Sequence, residues 1–118
     1  MRKAVLIATS LCLSLVIIIS CSKGGNTPNP PSFDCSGPAK SWATDVSPII
    51  QTFCNQSTCH DVASNNGPGP LTNYAQVFSA RSLIKTQVAA GLMPQNTTLT
   101  LAQKTAIVCW IDNGAPNN

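Results

Sequence analysis

The chain has 118 residues, with seven Lys and Arg, four Asp and Glu, and one His. That length accommodates one small domain. Arg2 and Lys3 stand at the extreme N-terminus, so the rest of the chain is close to neutral. It holds no basic run that could follow a phosphate backbone, which argues against a nucleic-acid partner.

Arg2 and Lys3 are followed by an apolar, uncharged run from Ala4 to Ser20. It is short for a membrane span, which needs about 20 apolar residues, and suits the apolar region of a secretory signal. Its end, Ile18-Ile19-Ser20-Cys21, resembles a bacterial lipobox. Residues 1–20 are therefore expected to be a cleaved signal peptide, with Cys21 acylated on its sulfur and its new amino group. More than one acyl chain gives a stable membrane anchor. Ser22 rather than Asp after Cys21 favours the outer membrane. Export implies an oxidising compartment, in which cysteines are bridged or covalently used.

Residues 21–40 are rich in Gly, Pro, Asn and Ser, and read as a flexible tether. The domain proper is expected over 41–118. Phe33 and Cys35 stand out within the tether as groups that can dock onto that domain. A core of that size is marginal without a staple, a metal or a cofactor.

Val46, Ile49, Ile50 and Phe53 fall on one helical face. Asp45 or Ser47 is the expected cap, and Pro48 suits a first turn. This helix delivers Cys54 to the stretch "FCNQSTCHD". Three chemistries compete there. Covalent haem attachment needs two thiols and an imidazole next to one of them. The usual spacing is C-x-x-C-H, whereas Cys54 and Cys59 are separated by four residues. The two extra residues can bulge outward while Cys59 and His60 keep their register. A zinc site would use the same three side chains and a fourth ligand from elsewhere, although adjacent Cys59 and His60 fit one tetrahedral ion poorly. A local Cys54–Cys59 disulfide beside an unrelated His60 is the plainest alternative.

"NNGPGPLTN" reads as a loop. Tyr74, Val77, Phe78, Leu83, Ile84 and Val88 recur at mostly helical spacing, with Asn73 as the expected cap and Gly91 as the stop. A break into two short helices is expected near Ser79 to Ser82. Met93 comes next, in "GLMPQ", a loop signal rather than an apolar stripe. Once residues 1–20 are removed, Met93 is the only methionine and His60 the only histidine. Haem iron bound by one His and one Met is an electron-transfer arrangement. Thr100 and Gln103 have capping-box spacing. Leu101, Thr105, Val108 and Ile111 then form a helical stripe flanked by Ile107 and Trp110, and Gly114 ends it. No alternating strand pattern is present, so the domain is expected to be all-α.

In order and spacing, "DVSPIIQTFC", "CH", "GPLTNY", "GLMP" and "LTLAQKTAIVCWIDNGAPNN" resemble the small monohaem c-type cytochromes, and more narrowly the lipoprotein cytochrome c domains of Bacteroidota. The resemblance runs from Asp45 to Asn118. It implies a cytochrome c-like helical fold around one covalent haem c. Cys54 and Cys59 would form thioethers, His60 would be the proximal axial ligand and Met93 the distal one. In that family a proline carbonyl often accepts the proximal imidazole N–H, a role for Pro68 or Pro70. The family also places its first and last helices in contact, which makes Cys35 and Cys109 a candidate disulfide. Trp110 is expected in the core, near the haem edge or the first helix, and Trp42 as a lid. Arg81 and Lys85 would face solvent or a haem propionate.

The implied function is electron transfer in the cell envelope, by Fe(II)/Fe(III) cycling in a lipid-anchored, periplasmic carrier that serves redox partner proteins. No nucleophile–base set or carboxylate pair is evident, so an electron carrier is expected rather than an enzyme. Two alternatives belong to other classes. One is a haem-free, disulfide-stapled envelope lipoprotein acting as a binding or structural module. The other is a five-coordinate haem sensor or peroxidase-like protein in which Met93 is off the iron.

Overall fold

A computed structural model describes residues 31–118. The expected signal peptide, the acylated Cys21 and the first part of the tether lie outside them. Residues 31–41 have no helix or strand. A π-helical turn, Trp42–Val46, leads directly into α1, Ser47–Phe53; α2 is Tyr74–Ala89 and α3 is Leu101–Asp112. Among the described residues there is no strand, as the sequence predicted, and no helix is long and apolar enough to cross a membrane.

The first helical segment starts earlier than its periodicity indicated. Its cap is Ser41, whose side chain accepts from the Thr44 amide, rather than Asp45 or Ser47. Asp45 instead reaches back, accepting from the Ser41 amide at 2.8 Å. The two side chains thus satisfy amides that a helix start would leave unpaired. Pro48 sits in the first turn of α1, where a missing N–H costs nothing.

Asn73 caps α2 by accepting from the Gln76 amide, and Gly91 lies just past its end at φ +71°. The expected break near Ser79 to Ser82 does not occur. The Ser79 hydroxyl donates to the Ala75 carbonyl at 2.9 Å, and that of Thr86 to Ser82 at 3.1 Å. Hydroxyls bonded back one turn are spent within the helix rather than on a competing turn, and α2 runs unbroken from Tyr74 to Ala89. In α3 the capping box of Thr100 and Gln103 is complete in both directions.

α2 and the π turn both pack on α3. Val46, Ile50, Val77, Ile107 and Trp110 are fully buried between them. The buried part of α3 is the continuous stretch Ala106 to Trp110, while Leu101, placed in the expected stripe, is exposed. A disulfide joins Cys35 to Cys109, with Cα atoms 5.4 Å apart. It lays the end of the tether over a second face of α3, which is why burial there runs all round rather than along one stripe.

Both tryptophans belong to the core. Trp42 lies 5.5 Å from Trp110 and 5.6 Å from Tyr74, ring centre to ring centre. Trp42 is therefore not a lid, and Trp110 packs beside the start of the first helical segment. The tail serves their polar tips. Trp110 Nε1 donates to the Pro116 carbonyl and the Tyr74 hydroxyl to the Ala115 carbonyl, each at 2.9 Å. Buried Tyr and Trp need such partners. Asn118 closes the circuit, its carbonyl accepting from the Ala43 amide at 2.8 Å.

Candidate functional site

α1 ends at Phe53, and Cys54 continues its hydrogen bonding, its amide donating to Ile50 at 2.9 Å. The chain then doubles back. The Cys54 carbonyl accepts from the Gln56 amide at 2.8 Å and from the His60 amide at 3.2 Å. The second bond pins the Cys59–His60 pair to the end of α1. The residues between the cysteines bulge outward: Gln56, Ser57 and Thr58 are exposed, and Thr58 takes φ +69° to make the turn.

The loop after His60 braces it. Asn66 donates to the carbonyls of Thr58 and Cys59, at 2.8 and 3.0 Å. The Leu71 amide donates to the His60 carbonyl at 2.9 Å, and Leu71 is itself buried. The imidazole is buried too, its Nδ1 lying 2.9 Å from the Gly69 carbonyl. The acceptor is thus neither Pro68 nor Pro70 but the glycine between them. Gly69 adopts φ +94°, a conformation that suits glycine and turns that carbonyl toward the ring. A carbonyl on Nδ1 holds the proton there and leaves Nε2 as the free lone pair.

His60 lines a cavity of about 960 Å³ together with Cys54, Cys59 and Met93. That volume is at the upper end of small-molecule and cofactor sites, about 300–1,000 Å³. Phe53, Leu71, Ile84 and Val88 supply apolar wall from α1, the loop and α2. Met93 reaches the cavity from the segment between α2 and α3. Its amide and that of Leu92 both donate to the Gln87 carbonyl, at 3.3 and 2.9 Å. All four residues expected at the site therefore border one space, although Cys54 and Met93 are 39 positions apart in the chain.

Cys54 and Cys59 are free thiols, so the local disulfide is not formed. Burial, and then the neighbouring Cys59, push the Cys54 thiol up to about 11. Among the described residues, no three His, Cys, Asp or Glu side chains are placed to hold a metal ion, so the trio weighed for zinc does not form.

None of the cavity-lining residues is Lys, Arg, Asp or Glu. Arg81 and Lys85 do not reach it. Arg81 lies over the Phe78 ring at 4.0 Å and donates to the Phe78 carbonyl, and Lys85 pairs with Asp112. The polar lining is uncharged and includes Gln87, a residue that sequence periodicity passed over because its neighbours Ile84 and Val88 carried the pattern.

Compared with protein-family models, with curated proteins and with solved structures, the chain finds no match.

Proposed function

We propose that this protein is a monohaem c-type cytochrome, an electron carrier of the cell envelope. The observation that supports the reading most is the gathering of Cys54, Cys59, His60 and Met93 around one cavity with an apolar wall. The donor set fits haem c on its chemistry. Two unbridged thiols stand beside an imidazole whose Nδ1 is held by Gly69, and a thioether borders the same space.

In this reading Cys54 and Cys59 hold the porphyrin covalently, His60 is the proximal ligand through Nε2, and Met93 is the distal ligand. The bound group supplies one-electron exchange at its iron. The chain supplies the fixed surroundings. The Gly69 carbonyl fixes the His60 ring and raises its basicity. Met93 sulfur favours the reduced state, and Phe53, Leu71, Ile84 and Val88 exclude water from the interior. A filled cavity would also complete a core that is small for a domain of this length.

The same reading places the domain in the periplasm, held by lipid on Cys21 to the outer membrane, where it exchanges electrons with other envelope proteins. The Cys35–Cys109 bridge is compatible with such an oxidising compartment.

The test is production of the full chain alongside a c-type maturation system, with intact mass and absorption spectra as readouts. A red protein carrying one covalent haem supports the reading. A matured sample whose mass shows polypeptide and lipid alone overturns it.

A further inference from the structure

Residues 31–40 are fastened to the domain at one point. They form no helix or strand, and among the described residues no backbone-to-backbone hydrogen bond involves them. The side chains of Asp34 and Ser36 serve each other: the Asp34 carboxylate accepts from the Ser36 amide at 2.9 Å and from its hydroxyl at 2.7 Å. The segment's polar approach to the rest of the chain is the Asp34 carbonyl, 3.7 Å from Cys109 Sγ and so beside the bridge itself. Only Phe33 and Lys40 are even partly buried. Firm contacts resume at Ser41, which caps the first helical segment and donates to the Asn118 carbonyl at 2.9 Å. The Cys35–Cys109 bond is therefore what lays this segment on α3.

The two halves of that bond differ. Cys35 is exposed, whereas Cys109 is only 2% exposed. Access decides which sulfur a thiol can attack, and exposed bridges are the ones open to exchange. The cavity around His60 is lined by no residue of α3 and none of residues 31–41. Opening the bond thus takes no wall from that site.

We propose that the Cys35–Cys109 bridge is a clasp that a dithiol can open, freeing residues 31–40 from a domain that stays folded. A thiolate of the dithiol attacks Cys35 Sγ. A mixed disulfide forms as the Cys35–Cys109 bond breaks, and Cys109 leaves as a thiolate that takes a proton. The second thiol of the reductant gives up its proton and attacks its own sulfur in the mixed disulfide, releasing Cys35, which is protonated in turn. The bridge gains two electrons and two protons, and the dithiol becomes a disulfide.

The clasp sets reach. Cys35 stands 14 positions after Cys21, and Ser41 stands 20 positions after it. At about 3.3–3.6 Å per residue, the limit of extension from Cys21 grows from about 46–50 Å to about 66–72 Å when the clasp opens. This consequence rests on lipid at Cys21, as the proposed function has it; the release of residues 31–40 does not.

Two measurements on the full chain test this. The first is the two-dimensional amide spectrum before and after dithiothreitol, with alkylation and peptide mapping to show that Cys35 and Cys109 have been reduced. Resonances of residues 31–40 are expected to move to random-coil positions while those of residues 42–118 stay dispersed, and Cys35→Ser is expected to give the same spectrum without reductant. A bridge that opens only in denaturant, a collapse of the whole spectrum in the reduced chain or the variant, or residues 31–40 that keep their bridged positions overturns the clasp. The second is neutron reflectivity of the protein on a supported phosphatidylcholine bilayer. Dithiothreitol should move the protein layer outward by about a fifth of its mean distance, as a coil of the longer length requires. A layer that stays put overturns the control of reach. A chain that forms no layer overturns the lipid anchor itself, which is a separate failure.

Discussion

His60 Nδ1 lies 2.9 Å from the carbonyl of Gly69, and that carbonyl reaches the ring because Gly69 sits at φ +94°. A ligand imidazole whose second nitrogen is held in this way is more basic and fixed in orientation. A Cβ at Gly69 would meet no atom within 4 Å. Gly69→Ala therefore tests the backbone conformation alone, at a cost of about 1–2 kcal/mol if φ is kept. The variant is expected to unfold at lower urea. If the chain relaxes and the carbonyl turns away, the less basic imidazole raises the reduction potential. Paired urea and potentiometric titrations check this, and an unchanged potential in a variant whose Nδ1 proton exchanges freely with solvent would contradict it.

In the proposed function Met93 carries the other axial role. Met93→Ala removes the sulfur but leaves both Cys54 and Cys59, so covalent haem attachment is expected to survive. The methionine–iron band should vanish and the potential should fall, because a thioether favours the reduced state. Absorption and potentiometry on the variant give the answer. A surviving band would mean that another group occupies the distal position.

What the sequence made legible was mostly local. Thr100 and Gln103 cap α3 as their spacing predicts, because a capping box is an agreement between residues three apart. That Cys54, Cys59 and His60 lie close together was readable for the same reason. The His60 acceptor was not: which of three successive carbonyls faces the ring depends on backbone dihedrals that "GPGP" does not display. The tail was opaque too. Trp42 donates from its amide to Asn118 Oδ1 at 3.0 Å across a separation of 76 positions, and no local pattern announces such a partner. Leu101 misled in the opposite way. Periodicity shows which face is apolar, but not how far along a helix its neighbours extend. The expected break in α2 does not occur: the Ser79 hydroxyl is spent on the Ala75 carbonyl one turn back rather than on a turn that competes with the helix.

The Cys35–Cys109 bridge spans a sequence separation of 74. In the chain-entropy model, a loop of that length stabilises by roughly 4–5 kcal/mol. Replacing both cysteines by serine is expected to cost about that much in urea denaturation, a large share of the 5–15 kcal/mol typical of whole domains. Cys109 is buried, so some of the loss will come from packing as well. Haem content should be unaffected once the chain is folded, since neither residue lines the cavity. A loss below about 1 kcal/mol would show that the tether contributes little to the folded state.

Arg81 and Lys85 were candidates for the acid groups of a haem, and their observed contacts give the contrary expectation. Arg81→Ala should remove a cation–π contact of about 0.5–1 kcal/mol, and Lys85→Ala an exposed ion pair of at most about 1 kcal/mol. Neither change should alter the reduction potential or its pH dependence, because neither side chain borders the cavity. A clear shift in potential for either variant would place a haem carboxylate near α2's outer face.

Cys54 provides a signature that depends on whether its sulfur is used. Its thiol is raised from an ordinary value of 9.0 to about 11, first by burial and then by Cys59. In protein without haem, the folded state keeps this proton after the unfolded chain has lost it. The native state then binds more protons than the unfolded one between about pH 9 and 11, and stability falls with rising pH across that window. Below pH 9 the contribution is fully present, and above 11 it is gone. Two pH units correspond to about 2–3 kcal/mol. A thioether has no proton to lose, so matured protein should lack this decline. Urea titrations at pH 8, 9, 10 and 11 on matured and haem-free chains, with Cys54→Ala as control, separate the cases. The control removes the slope from the haem-free chain if Cys54 is its source, and leaves it in place if another group is responsible.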